Sequence, residues 1–293
     1  MAYFSVILND NRDEFLRQLC KGLARIKDGE FFKIKKQIVD KKTCIYSLEC
    51  IDGYIPTRDS YNAAMGLIAS TLSAYIVDVH EKTILKKVID RYYYYFNKEE
   101  KEIIYANAIS FSDEYNRELR EYKIEGLRKS INDFLCEMHE INLEGFISFR
   151  GQNYLKCLRE IADRAVDEYL MEREYNDFIK LLKYFVDLQS PKLDTINIII
   201  KDDTYQLLDG DMNELDNHFI ESAIQDSIEA EMNRDDILIS FLLTMAPVKI
   251  YIHSVEKAVN KEIIETIINV FGGRVSICGG CNLCNDIRSM IKK

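Results

Sequence analysis

The sequence predicts an α+β protein with a small N-terminal α/β unit, a long-helix middle region and a C-terminal α/β unit. The last unit is expected to hold a β-hairpin and a strand-helix-strand crossover. Three observations lead there. β-rich runs cluster near both ends of the chain, at residues 3–48 and 195–277. No proline interrupts residues 57–190, where apolar residues recur at helical spacing. A chain of 293 residues with 47% hydrophobic residues and only 3 prolines and 12 glycines can bury real cores, which excludes a disordered or collagenous protein.

The elements follow in chain order. Residues 1–55 form the first unit. Tyr3–Leu8 is a short strand, and Phe15, Leu16, Leu19 and Leu23 give Arg12–Ile26 one apolar helix face, with Asn11 as a possible N-cap. Phe31–Val39 and Thr43–Leu48 are two more strands, joined by a turn at Asp40-Lys41-Lys42. Gly53 and Pro56 close the unit. Residues 57–190 are mostly helical. Asp59 is the expected cap of a long helix carrying Leu67, Ile68, Leu72, Tyr75, Ile76 and Val79, and Leu85, Val88, Ile89, Tyr92 and Phe96 continue the period. Further helices are expected over Glu99–Ile109, Asp113–Met138 and Tyr154–Leu188. Tyr92-Tyr93-Tyr94-Tyr95 falls at a helix end, so only some of its rings can face the core.

Residues 191–293 return to α/β. Pro191 stops the helix, and Thr195–Ile200 with Thr204–Leu208 read as a hairpin about Lys201-Asp202-Asp203. A polar, acidic helical stretch follows. Asp235 and Asp236 then open the helix Ile237–Met245, which ends before Pro247. Val248–Ile252 is a strand. Asn260 is placed to cap a helix bearing Ile263, Ile264, Ile267, Ile268 and Phe271, which Gly272-Gly273 terminates before the strand Arg274–Ile277. So short a crossover should join parallel strands.

Net charge is −10, and the segment Asp202–Asp236, with twelve acids against the single base Arg234, carries −11, so the rest of the chain sums to +1. Such a face repels a phosphate backbone, which makes nucleic acid an unlikely broad partner and a solvated acidic surface the simpler reading. The N-terminus has no basic region followed by a small-residue cleavage site, and eight cysteines without export suit reduced thiols, so a cytoplasmic protein is expected. Ser60–Val77 carries no charged residue, but Asn62, Ser70, Thr71 and Ser73 dilute it. It is read as an internal helix and not a membrane span.

Several segments also resemble a known family. Glu144-Gly145-Phe146-Ile147-Ser148-Phe149-Arg150 precedes a helix that ends in the segment Glu174–Val186, and Pro191-Lys192, the hairpin and Ala246–His253 follow. In order and pattern these resemble the YtxC family, named for sporulation in endospore-forming Firmicutes, over roughly the C-terminal two-thirds of the chain. The resemblance implies a cytosolic protein of a spore-former and supplies no catalytic residue to carry over.

One motif carries chemistry. Cys278-x-x-Cys281-x-x-Cys284 directly follows the last strand, and Gly279 and Gly280 let the chain turn tightly there. Thiolates so spaced suit zinc or an iron–sulfur cluster, with dithiol redox chemistry and bystander thiols as the alternatives. A ferredoxin pattern would place its fourth cysteine where Arg288 stands. A fourth ligand would come from Cys136, His139, Cys157, His253, a second subunit or an exogenous group. Cys136 and His139 have ligand spacing on one helix face but read better as packing, and Cys20, Cys44, Cys50 and Cys157 read as core. His80, His218 and His253 have no evident acid or nucleophile partner in the sequence. Asp202, Asp203, Asp209 and Asp211 lack calcium-loop order and read as turn residues. Glu144 and Arg150 read as a structural ion pair.

No P-loop, dinucleotide fingerprint, nucleophile elbow or His-Glu-x-x-His occurs, so no catalytic residues are assigned. The leading reading is a non-enzymatic protein acting in sporulation through contacts with an unidentified protein partner. A metal or iron–sulfur sensor using the cysteine triplet comes second. A nucleic-acid-associated factor, resting on the tyrosine run with Lys86, Lys87 and Arg91, comes third.

Overall fold

The computed structural model describes residues 2–9, 13–26, 28–40, 43–114, 117–201, 204–215, 233–281 and 283–284. The class is α+β, with two mixed four-stranded sheets, and the chain divides into two compact units, Met1–Met171 and Glu172–Lys293.

In the first unit β1 (Ala2–Leu8), β2 (Phe32–Ile38) and β3 (Cys44–Cys50) form an antiparallel set, with α1 (Glu14–Leu23) between β1 and β2. A fourth strand, β4 (Glu140–Asn142), completes the order β2-β3-β1-β4 and runs parallel to β1. Three residues are too few for a period-two signal, which is why sequence reasoning missed β4. On β3 the inward residues Cys44, Tyr46, Leu48 and Cys50 alternate with half-exposed ones, the pattern of a sheet buried on one face.

Against that sheet lies α2 (Arg58–Tyr75), which passes through a π-helical turn (Ile76–His80) into α3 (Glu81–Tyr92). The N-cap lies two residues before the expected one. Thr57, not Asp59, occupies the N-cap and its Oγ1 accepts from the Ser60 amide at 3.2 Å, leaving Asp59 in the first turn, where its charge favours the helix dipole. Ala64, Ile68, Ala69, Leu72, Tyr75 and Ile76 sink into one core with Phe4, Phe15 and Tyr46. The segment Arg58–Tyr92 is long and apolar enough to cross a membrane, with mean hydropathy 1.3 in its apolar window, yet 56% of that window is buried inside the protein. The same core receives α4 (Lys98–Glu114), α5 (Glu118–Glu137), α6 (Leu143–Arg150) and the first part of α7 (Gln152–Leu188).

One buried polar network sits in this core. Lys123 is paired with Glu81, which also accepts from Ser112 at 2.8 Å and from the Tyr154 hydroxyl at 3.2 Å. Burial first, and the Glu81 charge second, push the Tyr154 hydroxyl far above its ordinary range. The tyrosine run divides as its position requires: Tyr93 is buried with its hydroxyl on Asp163, while Tyr92, Tyr94 and Tyr95 are exposed and Tyr92 lies under Arg91 and Arg159.

The second unit holds β5 (Thr195–Lys201) and β6 (Thr204–Leu208), the expected antiparallel hairpin. After α8 (Arg234–Met245), Ala246 turns the chain through the left-handed region at φ 44° and Pro247 follows. Then come β7 (Lys249–His253), α9 (Glu262–Phe271) and β8 (Val275–Ile277), in sheet order β6-β5-β7-β8. β7 is parallel to both β5 and β8, so the crossover through α9 is as expected. Lys261 rather than Asn260 holds the N-cap of α9, although Asn260 Oδ1 still accepts from the Glu262 amide at 2.9 Å. Ile196, Ile198, Ile200, Ile250 and Ile252 share one sheet face and pack with Ile263, Ile267 and Phe271. By strand alternation Asn197, Ile199, Tyr251 and His253 lie on the other face.

Two further expectations are corrected. Cys20 is exposed and not core, because it falls about 100° around α1 from the centre of the face that buries Phe15, Leu19 and Leu23. Glu144 and Arg150 do not pair with each other: Glu144 accepts from Asn9 at 2.8 Å and lies 3.8 Å from Lys87, while Arg150 lies over the Phe134 ring. The Asn11 cap, Lys41-Lys42, Asp202-Asp203, His218, the acidic stretch 216–232 and Arg288 lie outside the described residues.

Candidate metal centre

Sheet register brings the first two groups together. Ile252 pairs with Ile277, and the ladder continues one residue past β8, where the Cys278 amide donates to the Ile252 carbonyl at 2.9 Å. Parallel pairing in step sets Cys278 beside His253, both on the face opposite the isoleucines. Gly280 then turns the chain at φ +119°, a conformation that L side chains rarely adopt, and its amide donates to Cys278 Sγ at 3.4 Å. The return brings Cys281 and Cys284 back over the strand end.

Four ligand atoms converge there. Cys284 Sγ lies 3.8 Å from both Cys281 Sγ and Cys278 Sγ. His253 Nδ1 lies 3.4 Å from Cys281 Sγ and 3.7 Å from Cys284 Sγ. All four atoms fall within 4.8 Å of one another. A tetrahedral zinc with bonds of about 2.3 Å to sulfur and about 2.0–2.1 Å to nitrogen requires S···S edges of about 3.8 Å and S···N edges of about 3.5 Å. The four measured edges lie close to those figures. A [4Fe–4S] cluster binds each thiolate at a different iron and spreads its sulfurs much further apart, so the site fits one ion and not a cubane.

The histidine ring is oriented from behind. Asn197 Nδ2 donates to the Asp209 carbonyl at 2.9 Å, which turns Asn197 Oδ1 toward His253 Nε2 at 3.2 Å. Nε2 therefore carries the proton, and the Nδ1 lone pair faces the sulfurs. Asn197 and His253 are both buried, so neither has water as an alternative partner. Asp209 is itself held by its Oδ1 accepting the Asp211 and Asn213 amides at 2.9 Å each, the turn role expected of it.

The thiols respond to their surroundings in opposite directions. Burial alone raises Cys284, but the Cys281 amide, His253 and Ser254 outweigh it and bring this thiol down to about 6. Cys278 is pulled down by the Gly280 amide, yet burial and the neighbouring sulfurs together hold it up. All eight cysteines are free thiols.

The other candidates for a fourth ligand lie elsewhere. α5 ends at Glu137, so Cys136 and His139 do not share a helix face: Cys136 packs on Met65 Sδ at 3.8 Å and His139 faces the Tyr61 hydroxyl at 3.4 Å. Cys157 sits half-buried in the first unit's core, its thiol raised mainly by burial. Sequence reasoning named His253 among four possibilities and missed Asn197. The signal for Asn197 was present as the single polar residue inside Ile196-Asn197-Ile198-Ile199-Ile200.

Comparison with known proteins places this geometry in context. The model of a family described as YtxC-like matches residues 66–276. The uncharacterized protein YtxC of Bacillus subtilis (strain 168) is 29% identical over 142 residues, 46% of this chain and 47% of that protein. The matched part spans about half the length of that relative. No solved structure matches. Asn197 and His253 fall inside the family match, which stops just before Cys278.

Proposed function

We propose that this chain, which belongs to the YtxC-like family, holds one structural zinc ion on His253, Cys278, Cys281 and Cys284. The observation that carries the reading is the set of ligand spacings, 3.4–3.8 Å among the measured pairs, which are the edges of a zinc tetrahedron. Four protein ligands leave no position for water or substrate, and closed sites of this kind stabilise a fold. The ion would tie the short β8 and the turn after it to the end of β7, where backbone pairing alone is brief. A zinc-locked unit without an open coordination position acts through protein contacts, in the sporulation that the family resemblance implies. The cytosol suits it because the thiols stay reduced there.

The test is metal analysis of full-length, untagged protein purified without oxygen, together with its visible spectrum. The expected result is one zinc per chain and a colourless protein. Iron with charge-transfer absorption would replace zinc by an iron site. The absence of any stoichiometric metal would defeat the reading. In a spore-forming host, the His253→Ala allele should lower spore yield to the level of a deletion if the ion matters to the cell.

A further inference from the structure

Residues 172–188 of α7 lie in the second unit, and this stretch is apolar on two sides. At about 100° per residue, Ile179, Leu182 and Val186 make one narrow stripe, and all three are buried in the unit's core. Phe178, Leu181, Tyr184, Phe185 and Leu188 make a second stripe about 120° wide, and each is 48–65% exposed. Lys183, Asn176, Asp187 and Lys180 occupy the arc between the two on one side, while on the other Phe178 borders Leu182, so the apolar arc runs on well past the part that the core covers. A helix needs one apolar face to dock on its own domain, and an exposed extension of that face as wide as this one signals a partner.

We propose that the exposed stripe is a self-association surface, on which a second copy of this chain lays the same stripe antiparallel across a two-fold axis. Phe178, Leu181, Phe185 and Leu188 follow the alternating three- and four-residue spacing of a coiled-coil seam. With the axis near Lys183, Phe178 of each copy meets Leu188 of the other, and Leu181 meets Phe185, a large ring against a smaller side chain in every pair. The same symmetry sets Lys180 of one copy alongside Asp187 of the other, opposite charges at the rim. Parallel alignment would instead stack Phe178 on Phe178, Tyr184 on Tyr184 and Lys180 on Lys180. The area also suffices. About half of each large side chain is open, roughly 100 Å² apiece, so two copies cover about 1,000 Å², the lower bound for a specific interface. A dimer of this size should be reversible and concentration-dependent.

Sedimentation velocity of the full chain over a hundredfold concentration range tests the proposal. The expected result is a reversible monomer–dimer equilibrium. Phe178→Glu should shift the dissociation constant upward by at least tenfold with an unchanged circular dichroism spectrum. A mixture of Phe178→Glu and Leu188→Lys chains should recover heterodimer, because the antiparallel register sets residue 178 against residue 188. Hydrogen exchange of the unmodified protein adds a test that needs no variant: protection over 175–188 should rise with concentration. A monomer at every concentration, whether this stripe is open or covered by the chain itself, overturns the proposal. So does a dimer that Phe178→Glu leaves intact.

Discussion

Replacing Asn197 by alanine tests the metal centre without touching a ligand. Asn197 Oδ1 is the acceptor for His253 Nε2 at 3.2 Å, and its Nδ2 supplies a donor to the Asp209 carbonyl at 2.9 Å. Alanine removes both bonds in a place that is 4% exposed, where water cannot take over freely. The imidazole loses the group that selects its tautomer and orientation, and loss of such an outer partner costs about 10–100-fold in metal affinity. That is about 1.4–2.7 kcal/mol of binding free energy. The metal-free protein should lose less, about 1 kcal/mol for the carbonyl left without its donor. The assay is competition for zinc against a chromophoric chelator, with thermal melts of the loaded and stripped forms. Stoichiometry should remain one zinc per chain, affinity should fall by the stated factor, and the melting temperature should drop more with zinc than without. Asn197→Asp keeps the acceptor for Nε2 and should recover most of the affinity. Unchanged affinity in Asn197→Ala would refute the argument that Nδ1 of His253 is the ligand atom.

Three further outcomes are expected. Cys281→Ser should abolish stoichiometric zinc and lower the melting temperature of the isolated protein to that of the chelator-stripped form, whereas a bystander thiol would change neither. Lys123→Met should cost about 3–5 kcal/mol in urea unfolding by leaving Glu81 charged and buried without its partner, while the isosteric double change with Glu81→Gln should recover part of that loss. Leu72→Ala, at a fully buried position of α2, should cost about 2–5 kcal/mol, and the intact chain should stay in the supernatant after alkaline extraction of membranes, since the apolar face of that helix is already occupied.

Much of the architecture was legible in residue order because local physics dictates it. The isoleucines of 248–277, a glycine pair and a short crossover leave little choice but two parallel strands with a helix between them, and that is how β7, α9 and β8 stand. The length of α7 follows from an uninterrupted helical period without proline. Boundaries were less legible: Thr57 takes the cap from Asp59 because its hydroxyl meets the Ser60 amide, a geometry that composition does not distinguish.

What the sequence determined by itself is the chemistry of the triplet: three thiols in seven residues, with glycines that let them turn toward one point. What the tertiary structure decided is which distant side chain stands within ligand distance of the three thiols, and it is His253. Cys136, His139, Cys157 and His253 all stood as candidates on paper, because a residue distant in the chain can be near in space and no local period reports that distance. The parallel register of β7 on β8 separates them by placing His253 at the step where Cys278 emerges, on the face the isoleucines leave free. The same holds for Asn197, whose value lies in one hydrogen bond across β5 and β7 that exists only once both strands are in register.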